Sequence, residues 1–363
     1  MLNTRDLAKL SKFEYSVEDH SLTSQYFRPY WNDMQSIAPV WLAPNVISIV
    51  GFFLTIIGWI VCENYFDNNP IKSSLVVVFC WLTYMNLDAV DGIHARITKN
   101  SSPMGELIDH GCDSMSIIFI TMTACRLFGV YQENCWYIAA TAAIGFQFSH
   151  VVARIYGHLS LGRYTGPSEL IIYLSILALL DVFEIVTFPV DSVQYLCNTF
   201  ALQIYFLALF GITVYISTQM PFNCMPPVYI FLNVLNFFKF VSVFQSESFP
   251  TNDTIIMDCL LISLTSVELI VTKMKDGNPT PYIFAPYFVS FVSKYVGFFL
   301  TMAMMINYLF EISTYMKIPI FTQRKVLAEP TVIPFFPPGH PVTGTFSQEN
   351  VSKVVGDIEK KKR

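Results

Sequence analysis

Apolar runs of about 20 residues recur along most of this chain, separated by short polar interruptions. A run of that length crosses a bilayer as an α-helix, because the hydrocarbon core is about 30 Å thick and a helix rises about 1.5 Å per residue. The runs fall near residues 45–62, 73–90, 108–130, 136–155, 169–188, 200–219, 226–244, 254–272, 280–294 and 296–313. Lys294 interrupts the last pair, where a tight hairpin or one long tilted helix fits equally, so the pattern predicts nine or ten spans. Ahead of the first run, residues 4–35 mix charge with Leu7, Leu10, Phe13, Tyr15, Leu22, Tyr26, Phe27, Tyr30 and Trp31, a pattern that predicts amphipathic helices lying at the headgroup level. Three regions follow: an interfacial segment at 1–44, a membrane domain at 45–315, and a tail at 316–363 whose end, from Pro330 to Arg363, reads as disordered.

Composition narrows the class. Hydrophobic residues make up 53% of the 363 and charged residues only 13%. Soluble domains carry roughly 25% charge. The chain therefore lacks the polar surface of a large water-soluble body, and the expected fold is an all-α polytopic integral membrane protein. A net charge of −5 offers no basic face for nucleic acid. The eight cysteines contain no CxxC pair and lie mostly in apolar runs, where they act as small hydrophobes. No apolar signal-peptide core precedes residue 40, so the first long run is expected to act as the insertion signal.

Charge placement orients the spans. His94, Arg96 and Lys99, then Arg154 and Arg163, then Lys273 and Lys275, then the basic tail ending in Lys360-Lys361-Lys362-Arg363 all fall on one face if there are ten spans. The segment from Glu247 to Asp253 falls on the other. The positive-inside rule makes the first face cytoplasmic and favours ten spans over nine. The terminal Lys360-Lys361-x-x pattern resembles a retrieval signal for endoplasmic reticulum membrane proteins.

The chemistry concentrates at one place. Asp88, Asp91, Gly92 and Ala95 sit at i, i+3, i+4 and i+7 at the end of the second span. Gly105, Asp109 and Asp113 sit at i, i+4 and i+8 at the start of the third. Each set is one helical face, and a short polar turn between them predicts a hairpin that opposes the two stripes. Ionisable groups in membrane helices are costly and mark function. One arginine, Arg96, cannot neutralise four aspartates, which argues against a set of structural salt bridges. Hard oxygen ligands at this density suit Mg²⁺ or Mn²⁺, two ions fitting a phosphate-transfer site. Gly92, Ala95 and Gly105 have little or no side chain, so a ligand can approach the backbone closely.

The run Asp88-x2-Asp91-Gly92-x2-Ala95-Arg96-x8-Gly105-x3-Asp109-x3-Asp113 resembles the signature of the CDP-alcohol phosphotransferase family, with no departure in residue or spacing. Trp41-Leu-Ala-Pro44-Asn45, Glu106-Leu-Ile-Asp109-His110-Gly-Cys-Asp113-Ser114 and Gly166-Pro167-Ser168-Glu169 are similar to its eukaryotic choline/ethanolaminephosphotransferase branch. The resemblance implies a ten-span homodimer that moves phosphocholine or phosphoethanolamine from a CDP-alcohol to diacylglycerol, releasing CMP. It places the protein in the endoplasmic reticulum or Golgi membrane with its site on the cytoplasmic side.

Residue roles follow. Asp88, Asp91, Asp109 and Asp113 are the expected metal ligands. Arg96 has the fork of donors that grips a phosphate oxygen, and Asn45 either reaches the nucleotide or caps the first span. His110 has a suitable intrinsic pKa for a general base, and Glu106, at i−4, is placed to orient it. Asp113 is the alternative base. His94, His150 and His158 read as core or interface residues. Arg154, Arg163 and Glu169 are candidates for the head-group path. Two other readings compete: the same family with a different alcohol acceptor, and a non-enzymatic transporter or scaffold. A transporter would spread its charges through the bilayer depth, whereas here they cluster at one end of two helices.

Overall fold

A computed structural model of the protein describes residues 2–13, 16–185, 188–244 and 250–322. The far C-terminal tail, with its expected disorder and its basic terminus, lies outside the described residues, as do Tyr15 and the acidic Glu247. Among the described residues the chain forms α1 (Thr4–Leu10), β1 (Val17–Asp19), α2 (Leu22–Ile37), α3 (Pro44–Tyr65), α4 (Pro70–Ile97), α5 (Pro103–Leu127), α6 (Gln132–Tyr156), β2 (Leu159–Leu161), α7 (Pro167–Val182), α8 (Phe188–Gln219), α9 (Pro226–Phe244), α10 (Asn252–Lys275), α11 (Phe284–Val292) and α12 (Lys294–Met316). Five of these helices open on a proline, which has no N–H to leave unsatisfied in a first turn and a φ already suited to a helix.

The protein is a helical, polytopic membrane protein. By length and composition, seven helices among the described residues can cross a membrane: α3, α4, α6, α8, α9, α10 and α12. The other three expected spans coincide with helices of different character. α5 is 25 residues long but carries its acidic stripe. α7 has 16 residues and α11 only nine, or about 24 Å and 14 Å of helix, less than the hydrocarbon core. The run near 280–313 folds as a hairpin rather than one tilted helix. Ser293 breaks the helix with extended backbone (φ −149°, ψ 113°), and a Cβ on Gly297 would meet the Ser290 backbone at 2.7 Å. The sixth span also starts earlier than its apolar run suggested, at Phe188 rather than near 200.

α10 is the pillar of the bundle. Of its apolar stretch, 83% is buried, against 28% for α8 at the periphery. It packs on α5, α6 and α12, while α3 packs on α4 and α5. Two opposite ends are each stitched by polar contacts. At one end, Arg126 meets Asp67 at 2.5 Å, Asn252 meets Glu63 at 2.9 Å and Lys294 meets Asp253 at 2.8 Å. At the other, Arg154 meets Asp276 at 3.6 Å and Lys9 bonds the Asp276 carbonyl at 2.9 Å. Lys294 thus sits at a helix start with partners.

The N-terminal region is strapped to this second end. Leu7 and Leu10 of α1 enter the main core. β1 pairs in parallel with β2, Val17 opposite Leu159, an element the apolar pattern did not reveal. α2 crosses α4: the Trp31 indole donates to Asn86 at 2.8 Å, Gln35 contacts His94 at 3.2 Å, and Trp31 packs on Val90 and Ile93. The other face of α2 leaves Tyr26, Phe27, Tyr30 and Ile37 exposed.

Candidate active site

The turn between α4 and α5 sets the register of the two acidic stripes. The α4 C-terminus closes with Lys99 N–H to the Arg96 carbonyl (3.2 Å) and Asn100 N–H to the Ala95 carbonyl (2.8 Å), the paired bonds of a Schellman motif. Lys99 holds φ +55°, a left-handed conformation that normally favours glycine. Three residues later Ser102 caps α5, its Oγ accepting from Gly105 N–H at 3.0 Å. Helix end and helix start are thereby joined across residues 98–102.

The stripes do face each other. Asp88, Asp109 and Asp113 each bring a carboxylate oxygen to within 4.8 Å of the other two. The Tyr84 hydroxyl donates to Asp113 Oδ1 at 2.7 Å from one turn earlier on α4. Asp91, the fourth expected ligand, stands outside that trio and accepts a short hydrogen bond from Ser48 of α3. Three anions at this spacing repel one another strongly in a low-dielectric site. Asp109 Oδ1 is buried with no hydrogen-bond partner. A carboxylate trio in which one member keeps an unpartnered oxygen fits a divalent cation held by hard oxygen donors.

Around the trio the small residues leave room for a ligand. The Arg96 guanidinium folds back over Gly92, where a Cβ would meet Nη1 at 3.4 Å. A Cβ on Gly105 would meet Ser102 Oγ at 3.4 Å and Asn45 Oδ1 at 3.6 Å, so Asn45 reaches the α5 N-terminus. Asn45 is not a helix cap. The α3 N-cap is Ala43, and the Asn45 amide instead donates to the Ile320 carbonyl at 2.8 Å.

The expected base lies beside the trio. His110 Nδ1 is 3.8 Å from Asp113 Oδ2. Its ring also stands edge-on to His150 of α6, centroids 5.2 Å apart. Glu106 has a partner that sequence reasoning missed: Lys273 of α10, at 3.7 Å, both side chains at most 8% exposed. The Lys273 ammonium sits over the Phe13 ring at 5.4 Å. The only sequence signal for Lys273 was its place in a basic loop on the motif's side of the membrane. Tyr84 and Ser48 had a clearer one, since each falls at helical spacing from a motif residue, Asp88 and Asn45.

Other expectations resolve as structure. His94 is fully buried and joins α2 to the bundle through Gln35 and the Leu42 carbonyl. His158 lies 3.4 Å from Glu18, beside the strand pair. Glu169 is 3% exposed and its Oε1 accepts from Thr23 N–H at 2.8 Å, holding the α2 N-terminus, while its Oε2 has no partner. Arg154 is engaged by Asp276, and Arg163 lies over Tyr164.

The site is thus an acidic cluster between two packed helices of a polytopic membrane protein, with small residues and an arginine beside it. Residues 41–215, covering α3 to α7 and most of α8, match the model of the CDP-alcohol phosphatidyltransferase family. That segment, just under half of the chain, is thus similar to the domain of that family. It is 38% identical to cholinephosphotransferase 1 of Xenopus laevis over 133 residues, 35% of this chain and 33% of that one. It is 31% identical to choline/ethanolaminephosphotransferase 2 of Arabidopsis thaliana over 175 residues, covering 46% and 44%. Against cholinephosphotransferase 1 of Gallus gallus the identity is 31% over 189 residues, covering 50% and 56%. The match spans about a third to somewhat over half the length of these relatives.

Proposed function

We propose that this protein transfers phosphocholine or phosphoethanolamine from its CDP-alcohol to diacylglycerol, forming the phospholipid and CMP. The observation that carries the reading is the convergence of Asp88, Asp109 and Asp113 with the Asp109 oxygen left orphaned. Mg²⁺ or Mn²⁺, two ions with Asp91 as a further ligand, would neutralise the donor's pyrophosphate and stabilise the leaving CMP oxygen.

The protein's own groups divide the remaining work. Arg96, already folded over Gly92, grips a phosphate oxygen of the donor. Gly92, Ala95 and Gly105 let the nucleotide approach the backbone, and Asn45 meets it at the α5 N-terminus. The acceptor's hydroxyl oxygen attacks the phosphorus next to the head group, and the bond to the CMP oxygen breaks. His110 takes the hydroxyl proton. Glu106, tethered by Lys273, supports the imidazole from the same helix face, and Asp113 is the alternative base.

The surrounding organisation belongs to the same reading. Segment 1–44 lies at the headgroup level, 45–315 is the catalytic membrane domain, in which α7 and α11 are too short to span the hydrocarbon core unaided, and 316–363 is the cytoplasmic tail. The protein works as a homodimer in the endoplasmic reticulum or Golgi membrane, with the acidic rim facing the cytoplasm.

Purified full-length protein in lipid nanodiscs, given labelled CDP-choline or CDP-ethanolamine, tests the function. CMP release is expected to require both diacylglycerol and a divalent cation, and to stop on chelation. CMP release that ignores diacylglycerol would refute the proposed acceptor. His110→Ala is expected to abolish turnover while sparing CDP-alcohol binding. Near-normal turnover in that variant would hand the base role to Asp113.

A further inference from the structure

The deepest carboxylate of the acidic stripes is held by a group that belongs to neither stripe. Asp113 lies ten residues past Pro103, the first residue of α5, or about 15 Å along the helix. Its Oδ1 accepts from the Tyr84 hydroxyl at 2.7 Å, and its Oδ2 lies 3.8 Å from His110 Nδ1. Tyr84 precedes Asp88 by one turn on the same face of α4 and is buried. Its phenol therefore closes the inner end of the trio. Because the bond runs from α4 to α5, it ties the two stripes together at their point furthest from the turn at 98–102.

A third helix seats the phenol. A Cβ on Gly51 of α3 would meet Tyr84 Cδ2 at 3.3 Å and Leu87 Cβ at 3.7 Å, so a side chain there would press on the ring. Ser48, three residues earlier on the same face of α3, donates to Asp91. One face of α3 thus touches Asp91 directly and reaches Asp113 through the Tyr84 ring. A neutral phenol removes no charge from the trio, so its bond does not balance the anions. It fixes the orientation of one of them. A ligand that is already oriented loses less freedom when an ion arrives, and hydrogen-bonded supports of this kind typically set about 10–100-fold of metal affinity. The hydroxyl of a buried tyrosine needs an acceptor in any case. A structural role and a positioning role both meet that need, and they part at the cation.

We infer that Tyr84 is a positioning residue for the cation: its hydroxyl, seated against Gly51 of α3, orients the Asp113 carboxylate toward an ion shared with Asp88 and Asp109. The inference rests on the proposed cation site, and binding of the cation alone separates it from the proposed transfer.

The experiment measures Mn²⁺ binding to full-length protein in lipid nanodiscs by electron paramagnetic resonance, with no CDP-alcohol or diacylglycerol present. Tyr84→Phe removes one oxygen and keeps the ring. Its Kd for Mn²⁺ should rise about 10–100-fold over wild type, while its thermal midpoint without cation changes little. In the transfer assay, the Mn²⁺ concentration for half-maximal CMP release should rise by the same factor. Gly51→Ala keeps every hydrogen-bonding group but crowds the ring, so its Kd should fall between those of wild type and Tyr84→Phe. It also reads the same bond should Tyr84→Phe fold poorly, and a wild-type Kd in Gly51→Ala would remove the α3 seat from the assignment. An unchanged Kd in Tyr84→Phe overturns the inference and leaves the bond structural. A lower Kd overturns it as well, because the hydroxyl would then be competing with the ion for Asp113. If Tyr84→Phe weakens Mn²⁺ binding but wild-type protein releases no CMP from either donor, the proposed function fails and the positioning role stands. If wild-type protein binds no Mn²⁺, the cation site and the role of Tyr84 fall together.

Discussion

Buried or half-buried charges occur at both ends of this bundle, and the two groups are balanced in opposite ways. At the α4–α5 rim, Asp88, Asp109 and Asp113 converge with one oxygen orphaned. Toward the opposite end, Lys239 of α9 meets Asp258 of α10 at 3.2 Å, with side chains only 8% and 6% exposed. There every valence is used: the Trp136 indole donates to Asp258 at 3.2 Å, Lys239 donates to the Ser290 carbonyl at 3.2 Å, and its ammonium lies 4.9 Å from the Phe291 ring. The closed pair can persist without a ligand and ties four elements together. The open trio is anionic in excess, an imbalance that a divalent cation would offset. Both are expensive in a membrane, but only the unbalanced one points to chemistry.

The comparison can be broken most directly at the rim. Asp113→Asn should lower CMP release on the order of a thousandfold and weaken Mn²⁺ binding measured by titration. Thermal stability in detergent should hold or rise, because one of several like charges is removed. Retained activity would mean the trio is not the cation site.

The closed pair should respond in the reverse sense. Asp258→Ala leaves a buried ammonium uncompensated and should cost about 3–5 kcal/mol of stability. Turnover per folded molecule should change little. The double variant Lys239→Met with Asp258→Leu should recover most of the loss, read from thermal midpoints in detergent. A single variant as stable as the double would show that the pair carries no structural load.

The smallest effect sharpens the picture of how the rim is held. Lys99→Gly relieves a left-handed side chain at the α4 terminus and should add about 1 kcal/mol of stability. No change in the thermal midpoint would indicate that the turn tolerates lysine without strain.

Much of this architecture was legible along the chain because bilayer crossing imposes a length and a composition on each segment. The apolar runs located all the long helices, and the hairpin at 280–313 was one of two readings that fitted. Where the pattern erred, another influence won. α8 begins before its apolar run because Asp191 to Asn198 continues the helix at the bundle end, where Asn198 Oδ1 accepts from Tyr131 N–H at 2.8 Å. α11 is shorter than a span because Ser293 breaks the helix. The short β1–β2 pair left no apolar signature, since three residues carry no period.

The acidic stripes were determined by local spacing: residues three and four apart share a helical face whatever surrounds the helix. Their meeting followed from one short turn. What remained invisible depended on helices distant in sequence coming into contact. Lys273 reaches Glu106 from 167 positions away, Ser48 takes Asp91, and His150 stands against His110 only because α10, α3 and α6 pack around α5. A one-dimensional pattern fixes which face a side chain occupies. It takes close packing in three dimensions to decide what that face touches, which carboxylates find a partner, and which polar atoms are left waiting for a ligand.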